Sequence, residues 1–195
     1  MKSKTLDGYL TVYTRQSKKV LEELYESGTY RVKEAYIRAK NDSISEYYLK
    51  LYRWFAGRCR ERTEVPKGCE FPIWLSMHDT YRLRNTEDTV SLTLRIPKEQ
   101  VFVISEYAWG FRVNDMYVPL NQEDESSFNR ELKRYGIENE MELVTGPLGN
   151  YYPNLKKKIT ASWERVFEME PKTPEDELGI CYELRREWIQ DIETL

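Results

Sequence analysis

The chain has 195 residues, a formal charge of −3, 40% hydrophobic and 13% aromatic residues, and a chain of this length can bury a sizeable core without disulfides or metals. Its 15 Tyr, 5 Trp and 6 Phe are too many aromatics for a disordered chain, despite 32% charged residues. No run of about 18 apolar residues is present, which excludes a transmembrane helix, and the one histidine, His78, excludes every two-histidine mechanism.

Tyr9-Leu10-Thr11-Val12-Tyr13 alternates with period two and is rich in β-branched and aromatic residues, which predicts a strand. Ser17 caps a helix to about Ser27, with Val20, Leu21, Leu24 and Tyr25 on one face and Gly28 as its left-handed stop. Residues 29–32 read as extended. Ser43-Ile44-Ser45-Glu46 fits a capping box. Ile44, Tyr47, Tyr48, Leu51, Trp54 and Phe55 then recur at helical spacing, with Lys50, Arg53, Arg60 and Arg62 on the other face. Residues 65–68 form a turn. Phe71-Pro72-Ile73-Trp74-Leu75 reads as a strand, with Pro72 near an edge or at a strand start. Val90, Leu92, Leu94 and Ile96 alternate with Ser91, Thr93 and Arg95, the cleanest half-buried strand in the chain. Residues 101–104, 109–113 and 116–118 are further extended candidates. A short helix starts at Ser126 or Ser127 and stops at Gly136, residues 145–150 form a loop, and Leu155, Ile159, Trp163 and Phe167 place a helix over 154–169. At the C-terminus two readings stand. Thr173-Pro174-Glu175-Asp176-Glu177 is a good helix start, and Ile180, Tyr182 and Leu184 also alternate as a strand. Local chemistry leans to the helix. Helices mixed with separated strands, without repeats or an obvious linker, predict a single α+β domain over 1–195, with a mixed or antiparallel sheet flanked by helices.

Charge and chemistry narrow the function only in part. Residues 1–69 hold 15 basic against 9 acidic residues, a net of +6, and residues 70–195 hold 15 against 24, a net of −9. The basic third fits a solvated helical face, and it also suits an anion such as RNA, DNA or a dinucleotide. Cys59, Cys69 and Cys181 lack a CxxC and read as buried or incidental thiols. The opening residues lack the apolar core of a leader, so the cytoplasm is the default location. No GxSxG, P-loop or GxGxxG is present.

The ordered set of segments resembles an uncharacterised bacterial family, the domain of unknown function three-eight-four-one. The residues that carry the resemblance are Leu10 to Gln16, Val20 to Leu24 with Gly28, Tyr47 to Trp54, and Pro66-Lys67-Gly68 before Phe71 to Trp74. Leu94 to Pro97 before Val101 and Ser162 to Phe167 complete the set. Members tend to end on a strand carrying a Gln-Ala and then a Trp-Glu pair. Here Tyr182-Glu183 takes the second position and Leu178-Gly179 departs from the first. This resemblance shifts residues 180–192 from helix to strand.

More distantly the layout is similar to ADP-ribosyltransferase-like folds. That resemblance implies an enzyme that consumes NAD and modifies a protein or nucleic acid, in a toxin or phage-defence setting. It implies Glu183 as the carboxylate that stabilises an oxocarbenium-like transition state. It implies Tyr13 and Trp74 as nicotinamide-stacking residues, Thr14 and Gln16 as first-strand contacts, and Arg53 and Arg31 as phosphate contacts. The family's first-motif histidine or arginine is absent, Tyr13 standing there. The alternatives are a non-catalytic module for a nucleotide, nucleic acid or protein partner, and an adaptor that uses exposed aromatics. On the plainest reading Glu183 is a surface or paired carboxylate and Tyr13, Trp54, Trp74 and Trp109 are core aromatics.

Overall fold

A computed structural model of the protein describes residues 8–62 and 65–195. The opening residues, which carry the expectation of no leader, lie outside them. No helix among the described residues is long and apolar enough to cross a membrane.

The fold is α+β. Its main sheet has six strands in the order β5-β6-β3-β1-β4-β8. They are β1 (Tyr9–Ser17), β3 (Ile73–Ser76), β4 (Thr89–Pro97), β5 (Phe102–Ser105), β6 (Glu177–Cys181) and β8 (Ile189–Glu193). Alternation decides which way each strand faces. In β1, Leu10 and Val12 point to the core and pair with Ile96 and Leu94 of antiparallel β4. Tyr13 faces the other way, opposite Thr93 and Ser76. The core side is covered by α1 (Lys18–Ser27) through Val20 and Leu24. Ser17 accepts a hydrogen bond from the Lys19 amide at the start of α1, and Gly28 ends it at φ 78°. A second, two-stranded sheet pairs β2 (Thr29–Tyr30) with β7 (Leu184–Arg185).

Two helices follow β2. The sequence pattern did not predict α2 (Glu34–Asn41), which runs into a 3-10 turn at Asp42–Ile44 before α3 (Ser45–Arg60). That turn corrects the capping box. Ser43 lies inside it and Ile44, which makes no side-chain cap, precedes α3. Glu46 pairs with Arg38 instead. Ile37, Leu49 and Phe71 form the small core between α2 and α3.

The chain packs as two compact units, a division that no linker marks in the sequence. The first runs to Val103 and includes Glu177–Leu195, and the second is Ile104–Asp176. The second unit holds α4 (Glu106–Val113), α5 (Gln122–Arg134), α6 (Glu142–Thr145), α7 (Leu148–Tyr151) and α8 (Pro153–Ser162). Phe128, Leu132, Leu143, Leu155 and Ile159 make its core.

Several local expectations change here. Residues 109–113 are helical, because the Ser105 hydroxyl caps α4 through the Ala108 amide and Ala108, Trp109 and Arg112 are buried at helical spacing. Residues 116–118 form no ladder. The Tyr117 amide donates to the Glu140 carboxylate and the Val118 amide to Ser162 Oγ, so side chains satisfy this backbone. Helix α5 starts before Ser126 because Asn121 accepts from the Asp124 amide. The expected loop at 145–150 contains the ends of two single-turn helices. A Cβ at Gly149 would stand 2.0 Å from the Leu143 carbonyl oxygen, so only glycine fits that crossing. The C-terminal segment is extended, with Cys181 opposite Ile73 and Leu178 opposite Ser76. The strand reading holds, because a sheet edge at β3 outweighs a good local helix start.

Candidate anion site at the Glu183 clamp

Between β6 and β7 the chain breaks from ladder geometry for two residues, Tyr182 and Glu183. Tyr30 lies opposite Leu184 in the antiparallel β2–β7 pair. The same register continued by one residue sets Arg31 against Glu183. The carboxylate is 5% exposed. Oε2 accepts from Arg31 Nε at 2.7 Å and Arg31 Nη2 at 2.5 Å, and Oε1 accepts from Arg185 Nε at 2.8 Å. Both guanidinium side chains are nearly half exposed, Arg31 at 46% and Arg185 at 45%.

Burial alone would raise the Glu183 carboxyl. The hydrogen bonds from Arg185 and Arg31 outweigh it and hold the group below the usual carboxylate range. The bond to Glu183 raises Arg31 in turn. The neighbouring loop is tied in through its backbone carbonyls. Arg31 Nη1 donates to the Lys67 carbonyl at 3.3 Å, and Arg60 Nη2 donates to the Cys69 carbonyl at 2.5 Å. Two cations, Arg31 and Arg185, therefore flank one buried carboxylate, and Arg31 also holds the loop at the Lys67 carbonyl. Glu187 stands 3.7 Å from Arg185 Nη1. A guanidinium carries five donors in a fixed fork, so the clamp uses some and leaves others for an outside acceptor. Two such forks, positioned by a buried carboxylate, suit oxyanions such as phosphate.

Thr14, Gln16 and Trp74 come together. Gln16 Nε2 donates to Thr14 Oγ1 at 2.8 Å, and that hydroxyl donates to the Trp74 carbonyl at 2.9 Å. These bonds bridge β1 and β3 where their ladder has a single register pair, Tyr13 with Ser76. The Trp74 ring packs on Tyr52 and Phe55 of α3. Arg53 pairs with Glu34 and Glu70 and lies over the Phe71 ring. Tyr13 stands under Arg82, which pairs with Asp79 and Glu193. Burial first, then Asp79, raises the Tyr13 phenol. Tyr13 lies level with Leu178 across β3. Glu183 lies five residues further along, past the end of that ladder at Cys181. The structure does not bring Glu183 to Tyr13, and Glu183 precedes β7 rather than lying on the last strand. His78 Nε2 meets Glu177 at 2.8 Å.

Arg185 is the site residue that the sequence reading misses, although residues two apart on an extended segment share a side. The three thiols are free and buried, and burial pushes Cys59 up to about 11. In the second unit a concave surface of about 420 Å³ is lined by Tyr107, Met169, Lys172 and Asp176, among others. The Asp176 carboxylate is already engaged there by the Ser105 hydroxyl and the Tyr107 and Lys172 amides.

One protein family matches the chain over residues 11–190, and it is described as Domain of unknown function (DUF3841). No curated protein and no solved structure matches it.

Proposed function

The chain belongs to the DUF3841 family, and from that premise we propose that it is a non-catalytic binding module that grips a phosphate-bearing ligand at Arg31 and Arg185. The ligand class is a phosphodiester or pyrophosphate, carried by a nucleic acid or by a dinucleotide. The observation that carries this reading is the clamp itself. A buried carboxylate fixes two half-exposed guanidinium groups in place, so little side-chain entropy remains to be lost when an anion docks.

The same observation weighs against Glu183 as an oxocarbenium stabiliser. That role needs a carboxylate oxygen directed at the ribose and a net negative field. Here Oε2 takes Arg31 and Oε1 takes Arg185.

The test measures binding of NAD and, separately, of a single-stranded oligonucleotide to the wild type, Arg31→Met/Arg185→Met and Glu183→Gln, with nicotinamide release followed in parallel. The double arginine variant is expected to weaken whichever probe binds by at least tenfold while keeping its fold by circular dichroism. The probe that binds distinguishes the two sources of phosphate. Equal binding by wild type and the double variant overturns the proposal. Nicotinamide release that disappears in Glu183→Gln replaces it with the NAD-consuming enzyme.

A further inference from the structure

The second unit carries a different surface that the clamp does not use. Tyr135, just past α5, packs on Tyr152, just before α8, with ring centroids 5.3 Å apart. One level further in, Glu131 of α5 pairs with Lys158 of α8 at 2.6 Å. These two contacts make α5 and α8 antiparallel neighbours, joined at the C-terminal end of α5 and the N-terminal end of α8. Lys133 and Arg134 lie in the last turn of α5, and Lys156 and Lys157 in the first turns of α8. At about 1.5 Å rise per residue all four lie within roughly 8 Å, measured along the helices, of the tyrosine contact.

These four cations stand outside the unit's ion pairs. Among the described residues, Lys158, Arg112 and Arg165 of this unit make ion pairs, whereas Lys133, Arg134, Lys156 and Lys157 make none. Exposed acids in this stretch are Glu138 and Glu142, and the part-exposed Glu131 is taken by Lys158. Beside these cations stand two open rings, Tyr151 at 78% exposure and Tyr135 at 48%. A surface built only for solubility interleaves both signs and buries its aromatics. Cations outside ion pairs beside open rings match a strand of phosphates with stackable bases.

We propose that the α5–α8 end of the second unit binds single-stranded nucleic acid, with the four cations on its backbone and Tyr151 under a base. This surface is independent of the Glu183 clamp, since no residue is shared.

The test is fluorescence anisotropy with a labelled homopolymer of about twenty nucleotides, several site sizes of common single-strand binders, across a salt series. Variants are Tyr151→Ala, Lys133→Gln/Arg134→Gln/Lys156→Gln/Lys157→Gln, and Arg31→Met/Arg185→Met, each checked by circular dichroism. Losing one stacked base is expected to weaken binding about 5- to 150-fold in Tyr151→Ala. The four-cation variant is expected to flatten the log–log salt slope by roughly 3, at about 0.7 per phosphate contact. Unchanged affinity and slope in both variants overturn the proposal. If the Arg31/Arg185 variant alone loses binding, the clamp stands and this surface falls. Polyglutamate that competes as well as the oligonucleotide, with Tyr151→Ala unaffected, assigns the surface to acidic proteins and also overturns it.

Discussion

Glu183 is where burial and charge oppose each other most directly. Removing one partner of a buried charged network leaves the remaining groups under-satisfied, at a cost of about 1–3 kcal/mol. The exposed arginine ends are screened, which pulls the expected loss for Glu183→Gln toward about 1–2 kcal/mol at pH 7 by urea unfolding. The folded carboxyl lies below its ordinary 4.5. Its contribution is therefore complete above about pH 4.5 and is lost as pH falls through the lower folded value. The gap between wild type and Glu183→Gln is expected to shrink as pH falls below about 4.5, and a gap that stays constant on acidification contradicts the clamp. Gly179 gives a purely steric test. A Cβ there would stand 2.5 Å from Met77 Sδ and 3.1 Å from Leu75 Cβ. The thioether can swing away and the Leu75 Cβ cannot, so Gly179→Ala should cost about 1–3 kcal/mol.

Among the elements, α1 matters because it delivers the clamp. Gly28 ends it in the left-handed region, with no atom within 4 Å of an added Cβ. Gly28→Ala is thus expected to cost about 1–2 kcal/mol from backbone conformation alone, measured as a lower urea midpoint. Its carbonyl also accepts from the Arg186 amide at 2.9 Å, so the loss falls next to Arg185. Strand β1 and helix α1 were legible in the sequence because one buried face imposes its period and Ser17 and Gly28 mark the ends. Helix α4 was not. Trp109, Phe111 and Val113 alternate like a strand over a stretch too short for period to decide. What makes it helical is the Ser105 cap together with the burial of Ala108 and Arg112. Helix α2 was hidden for a related reason, its only buried residue being Ile37. For the site, Glu183 and Arg31 stand out as residue types, but their meeting depends on the β2–β7 register, which joins positions 152 residues apart.

At the scale of the molecule, a net charge of −3 means that any affinity for phosphates comes from local grouping and not from a general field. Binding at the clamp should weaken steeply with salt, and removing Arg31 and Arg185 should lower a single-strand slope by roughly 1.4. The order of the sheet carries a consequence in time. Strands β1, β3 and β4 are made early, but β6 and β8, which flank β3 and β4, come only after the whole second unit. At about 5–20 residues per second, synthesis of Ile104–Asp176 takes roughly 4–15 s. Through that interval the growing chain holds β3 and β4 as apolar strands with open edges, the condition in which strands pair with other molecules. A chain stopped before Glu177 is expected to collect in the insoluble fraction while the full chain does not. During translation this protein is a natural client for whatever shields nascent strands.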